Sequence, residues 1–129
     1  MSSSPDPDRP VKVLVIDDAP DTAETLAEFL LQAYGYDARV AHDGTAGLES
    51  AKADPPAAVV CDLGLPGLNG LEVARRIRDS VSPCPLLIAV TGYGDTFPEE
   101  AAVDAFDFYA VKPANPFVIA ALVGRAVAA

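Results

Sequence analysis

Short apolar runs recur along this chain, and each is cut off by a polar residue. VKVLVIDD ends in Asp17 and Asp18, AAVVCD in Asp62, PLLIAVT in Thr91 and FYAVK in Lys112. Such runs, bounded by turn residues, predict buried strands. The expected strands are Lys12–Ile16, Asp37–Ala41, Ala57–Cys61, Pro85–Val90 and Phe108–Val111, the second being weak by composition. Helical stretches separate them. Pro20 opens one that runs to Tyr34, with Leu26, Phe29, Leu30 and Ala33 as its apolar face and Gly35 as its C-terminal cap. His42-Asp43-Gly44 is a turn before a modest helix over Thr45–Lys52, which Asp54-Pro55-Pro56 stops. Leu71–Ser80 turns Val73, Ala74 and Ile77 inward and leaves Arg75, Arg76 and Arg78 to solvent. Pro98–Ala105 is a short helix, and Asn115 caps a last one that Pro116 begins. Strict alternation of five strand and five helix signals predicts an α/β fold. Its sheet is parallel and doubly wound, with helices on both faces.

Chemistry in such sheets gathers beyond the carboxyl ends of the strands. If the runs are neighbours, Asp17, Asp18, Asp62, Thr91 and Lys112 meet in one crevice. Three carboxylates together repel one another unless a cation neutralises them. Mg²⁺ prefers oxygen ligands and needs only one or two carboxylates plus a phosphate, with Mn²⁺ as an alternative ion. Lys112 brings a fixed positive charge and Thr91 a hydroxyl donor. The set suits phosphoryl transfer, in which positioning and charge stabilisation do most of the work. Asp62 stands alone before a glycine loop, GLPGLNG, and is the natural acceptor; the adjacent pair Asp17-Asp18 suits a metal.

Composition narrows the classes further. A chain of 129 residues, half of them hydrophobic, is expected to form one domain with a full core. A net charge of −10 argues against nucleic-acid binding by the domain itself. Cys61 and Cys84 make no disulfide framework, and Cys61 reads as a small core residue. The opening MSSSPDPDRP lacks the apolar centre of a signal peptide, and no run reaches membrane-span length. A cytoplasmic location without membrane contact is expected, with residues 1–10 as a disordered arm. The last helix signal reaches the chain's end, so no output domain is expected within these residues.

The strand-end motifs resemble those of the receiver domains of two-component response regulators. VIDD, CDLGLPGLNG, VTGYGD and YAVKP follow one another with Asp62 44 residues after Asp18, Thr91 29 further on and Lys112 21 beyond that. The wording is closest to receivers of hybrid sensor kinases. The resemblance covers about 11–127 and implies a flavodoxin-like sheet of order 2-1-3-4-5, with 11–129 as the receiver. It implies that Asp62 accepts a phosphoryl group from a phosphohistidine of a histidine kinase or a histidine phosphotransfer protein. Asp18, Asp62 and the Gly64 backbone carbonyl would hold Mg²⁺, with Asp17 helping through water. Thr91 and Lys112 would contact the phosphoryl oxygens, Tyr109 would be the switch aromatic, and the Lys112–Pro113 bond would be cis. The domain would catalyse only its own phosphorylation and dephosphorylation. It would signal to a downstream protein through the 98–129 surface, with the apolar last helix also a candidate homodimer face. Two features depart from the family pattern: the Thr91–Lys112 interval is about one residue short, and AFDF at 105–108 lacks the usual glycine.

Each residue alone has a plainer explanation. An acid pair can cap a helix, Asp62 can cap the glycine loop, Thr91 can simply end a strand, Lys112 can be solvated and Tyr109 can pack. The lone His42 is expected to be neither ligand nor phosphodonor, and the loop glycines fit no nucleotide-binding pattern. Two rival readings remain. One is a phosphorylation-independent interaction module with a receiver-like fold. The other is an aspartyl-nucleophile phosphohydrolase, which Gly64 disfavours because such enzymes place a second acid two residues after the nucleophile.

Overall fold

The computed structural model describes residues 10–92 and 105–126. Five parallel strands form one sheet in the order β2-β1-β3-β4-β5. They are β1 (Lys12–Ile16), β2 (Asp37–Ala41), β3 (Ala58–Asp62), β4 (Leu86–Thr91) and β5 (Phe108–Val111). The described helices are α1 (Pro20–Tyr34), α2 (Gly44–Ala53), α3 (Gly70–Ser80) and α4 (Pro116–Arg125). The expected boundaries hold to within a residue or two. The helix expected over Pro98–Ala105 falls, except for Ala105, outside the described residues, as does the arm before residue 10.

The sheet is buried on both faces because its strands alternate between two cores. Leu14, Ile16, Val59, Cys61, Leu87 and Ala89 pack with Ala51 of α2 and with Val73, Ala74 and Ile77 of α3. Val13, Val15, Val60, Ile88 and Val90 point the other way. They pack with Ala23 and Leu30 of α1 and with Ile119, Ala120 and Val123 of α4. A period of two in the strands thus serves helices on both faces, as a doubly wound sheet requires. Weakly apolar β2 pairs with β1 along its whole length, from Lys12 opposite Asp37 to Ile16 opposite Ala41.

The helices begin and end where their punctuation dictates. Asp43, Asn69 and Asn115 cap α2, α3 and α4 by accepting the backbone N–H of Ala46, Glu72 and Phe117. Pro20 and Pro116 stand at the first helical positions. Gly35 closes α1 in the left-handed conformation, φ 70°, where L side chains are disfavoured. One expectation is corrected: Ala33 is exposed, and the buried face of α1 is Ala23, Ala27 and Leu30, with Leu26 and Phe29 at its margin. The helix leans on its small residues because alanine lets it lie close to the sheet.

Candidate functional site

Strand register brings the polar ends together. Ile16 of β1 lies opposite Cys61 of β3, so the following residues, Asp17 and Asp62, emerge at one level. Asp62 lies opposite Val90, and the Leu63 N–H continues the ladder to the Val90 carbonyl at 3.0 Å. Thr91 lies opposite Val111, and the Lys112 N–H donates to the Thr91 carbonyl at 2.7 Å. All five residues therefore leave the sheet at its carboxyl edge, on the central strands and their neighbour β5.

Four of the five side chains, those of Asp17, Asp18, Asp62 and Lys112, converge. Asp17, Asp18 and Asp62 each present a carboxylate oxygen within 4.8 Å of the others. Asp17 and Asp62 are only 6% and 5% exposed, whereas Asp18 is open to solvent. The Lys112 ammonium donates to Asp62 Oδ2 at 2.8 Å and lies 3.9 Å from Asp17 Oδ2. The remaining oxygens of the buried pair are held by the backbone: Gly64 N–H donates to Asp62 Oδ1, and Ala19 N–H to Asp17 Oδ1, both at 2.9 Å. These local turns fix both carboxylates before any ligand arrives.

Burial raises the pKa of Asp17, reinforced by the charges of Asp62 and Asp18 and opposed by the Ala19 N–H and Lys112. Burial alone would lower that of Lys112. The hydrogen bond to Asp62 and the charges of the three aspartates outweigh it, so the ammonium is held above its usual range. Three carboxylates facing one ammonium leave net negative charge, and their hard oxygens suit a cation such as Mg²⁺ better than a soft metal. Among the described residues no cysteine or histidine joins this cluster. His42 contributes only a long contact, 3.4 Å, from Nδ1 to the Asp17 carbonyl. Cys61 is buried in the core with its thiol pushed up by burial, and both cysteines are free.

The Lys112–Pro113 bond is cis as expected, and Ser82–Pro83 is cis as well. Tyr109 is 42% exposed and edge-on to Phe106 at 6.0 Å. Two features escaped the sequence. Gly70 approaches the loop after β3 so closely that a Cβ there would lie 2.4 Å from the Asp62 carbonyl oxygen. A groove of about 710 Å³, lined by Thr22, Leu26, Phe29, Pro113 and Pro116, opens beside Lys112. The glycine pattern GLPGLNG hinted at the first; the second joins residues far apart in the chain.

Comparison with known proteins agrees with this geometry. The family profile of the response regulator receiver domain matches residues 13–123. Response regulator ArlR of Staphylococcus saprophyticus is 36% identical over 103 residues, which are 79% of this chain and 46% of that protein. Response regulator MprA of Mycobacterium ulcerans is 38% identical over 104 residues, 80% of this chain and 44% of that one. The chain thus spans about half the length of the curated relatives it matches. A crystal structure of a putative response regulator from Chloroflexus aurantiacus superposes with a TM-score of 0.79 at 30% identity, covering 94% of this chain and 100% of that one.

Proposed function

This chain belongs to the response regulator receiver family of two-component systems, and on that premise we propose that Asp62 is its phosphoacceptor. The observation that carries the proposal is the seat of Asp62. It is buried, one oxygen is bound to Lys112 at 2.8 Å, and Asp17 and Asp18 lie within 4.8 Å. The donor is a phosphohistidine on a histidine kinase or a histidine phosphotransfer protein. An Asp62 oxygen attacks phosphorus, the P–O bond forms as the P–N bond breaks, and the histidine nitrogen leaves with the bonding pair.

Asp18, Asp62 and the Gly64 carbonyl would hold Mg²⁺, with Asp17 acting through water. When bound, the ion would neutralise charge on the transferring phosphoryl oxygens. Lys112 shifts from the Asp62 carboxylate to a phosphoryl oxygen, and the Thr91 hydroxyl donates to another. The groove beside Lys112 would admit an apolar helix of the donor protein. Acyl-phosphate formation adds about −1.5 to −2 charges at neutral pH. Movement of Thr91 toward that charge, with Tyr109 following inward, would alter the 98–129 surface and its choice of downstream protein. The chemistry is confined to the domain's own phosphorylation and its reversal.

Incubation with acetyl phosphate and Mg²⁺ is expected to add one phosphoryl group, absent from Asp62→Ala and from samples in EDTA. Partner binding indifferent to Asp62→Ala would favour a pure interaction module, and steady turnover of a phosphomonoester would favour a phosphohydrolase.

A further inference from the structure

Lys112 is only as well placed as β5, and β5 is poorly held by burial. It is an edge strand of four residues in which half-buried Phe108 and Ala110 alternate with exposed Tyr109 and Val111, 42% and 62% exposed. Within the strand only Phe108 and Ala110, both half-buried, hold the register against the core, and a slip of one residue would carry every side chain about 3.3 Å along and onto the other face. Such a slip would remove the Lys112 ammonium from the 2.8 Å contact with Asp62.

A polar lock sits at the opposite end of β5. Asp107 Oδ2 accepts the Leu87 N–H at 2.8 Å, and the Asp107 N–H donates to the Leu87 carbonyl at 2.8 Å. Asp107 is thereby fastened twice to the start of β4. Its other oxygen lies 3.4 Å from the Arg78 guanidinium of α3. Arg78 also donates through Nε to the Ala105 carbonyl at 2.8 Å. Three elements, α3, β4 and the approach to β5, meet at this side-chain pair. It occupies the AFDF stretch that departs from the family pattern, where Ala105 and Phe106 are both buried.

We propose that Arg78 and Asp107 form a register lock that positions Lys112 over Asp62 from the far end of β5. Arg78 and Asp107 are positioning residues: neither touches the reacting atoms. The role in phosphorylation rests on the reading of Asp62 as acceptor, but the lock itself is testable without it. In hydrogen exchange of the metal-free protein, the Lys112 amide, bonded to Thr91, is expected to exchange at least tenfold faster in Asp107→Ala and Arg78→Ala. Amides of β1 and β3 are expected to keep their wild-type rates. Arg78→Lys, a milder variant, should restore part of the protection. Phosphorylation by acetyl phosphate should slow severalfold in the same variants at unchanged Mg²⁺ affinity, and Asp107→Ala should add nothing in a Lys112→Ala background. Wild-type exchange at Lys112 in both alanine variants would overturn the lock, as would equal acceleration across β1 and β3. An effect of Asp107→Ala undiminished by Lys112→Ala would overturn its action through Lys112. Failure of the wild type to accept a phosphoryl group would overturn the acceptor reading alone, since exchange at Lys112 still judges the lock.

Discussion

At the scale of single residues, the site is a set of buried charges that are costly for the fold. Asp17 is held by the Ala19 N–H but sits 6% exposed beside two other carboxylates, and burial raises its pKa. A raised folded-state pKa means that the folded protein binds this proton more tightly than the unfolded one. The resulting stability is full below the ordinary value of 3.8 and is lost as pH rises through the folded-state pKa. Ionised Asp17 is therefore a liability to the metal-free protein at neutral pH. Asp17→Asn is expected to raise the melting temperature in EDTA at pH 7, with little gain at pH 3, and to weaken Mg²⁺ binding. A lower melting temperature at pH 7 would contradict this. Lys112 plays the complementary part. Its hydrogen bond to Asp62 is charge-assisted, a class worth about 1.5–3 kcal/mol. If that bond is exchanged for one to the phosphoryl group, Lys112→Ala should slow phosphorylation by about tenfold or more in single-turnover assays.

Elements impose their own constraint, through backbone approach. The N-terminal turn of α3 lies against the Asp62–Leu63 backbone. A Cβ on Gly70 would stand 2.4 Å from the Asp62 carbonyl and 2.8 Å from the Leu63 Cα, both backbone atoms with no room to yield. Gly70→Ala is expected to cost about 1–3 kcal/mol in denaturant unfolding and also to impair phosphorylation, because relief requires Asp62 to move. Gly67 makes the control. It has φ 70° but open space around it, so Gly67→Ala should cost about 1–2 kcal/mol from conformation alone. Its phosphorylation rate is expected to hold. A smaller effect on phosphorylation at Gly70 than at Gly67 would refute the role of close approach. The contrast also marks what a sequence can carry. The glycines of GLPGLNG are visible in the sequence, but only packing distinguishes the one that adjoins Asp62. Likewise Gly35 and Asn115 are legible as caps because capping is local, whereas Ala33 is not placed by the same pattern. The stripe Leu26, Phe29, Leu30 and Ala33 fits α1 almost as well as the buried one, Ala23, Ala27 and Leu30, and the sheet decides between them.

At the scale of the whole molecule, the fold was legible because four of the five strands are apolar runs ended by a polar residue, β2 with its Asp37 and Arg39 being the exception. Alternation of runs and helices leaves few topologies for a parallel sheet. The order of the strands, and hence the meeting of Asp17, Asp62 and Lys112, came with the family resemblance and not from periodicity. The groove between α1 and the Pro113–Pro116 segment was not legible at all, since its two walls lie some 90 residues apart along the chain. Linkage offers a global test of the acidic cluster. If Mg²⁺ binds the folded state alone, stability rises by about 2.7 kcal/mol when the ion is at one hundred times its dissociation constant. The increment is expected in thermal melts of the wild type and largely lost in Asp62→Ala. An equal rise in both would place the ion elsewhere.

Intact-mass spectrometry after incubation with acetyl phosphate bears most directly on the claim that Asp62 is the acceptor. The expected result is a gain of one phosphoryl group that requires Mg²⁺, maps to the peptide containing Asp62, and is lost on Asp62→Ala. No gain in the wild type, or an equal gain in Asp62→Ala, would contradict it.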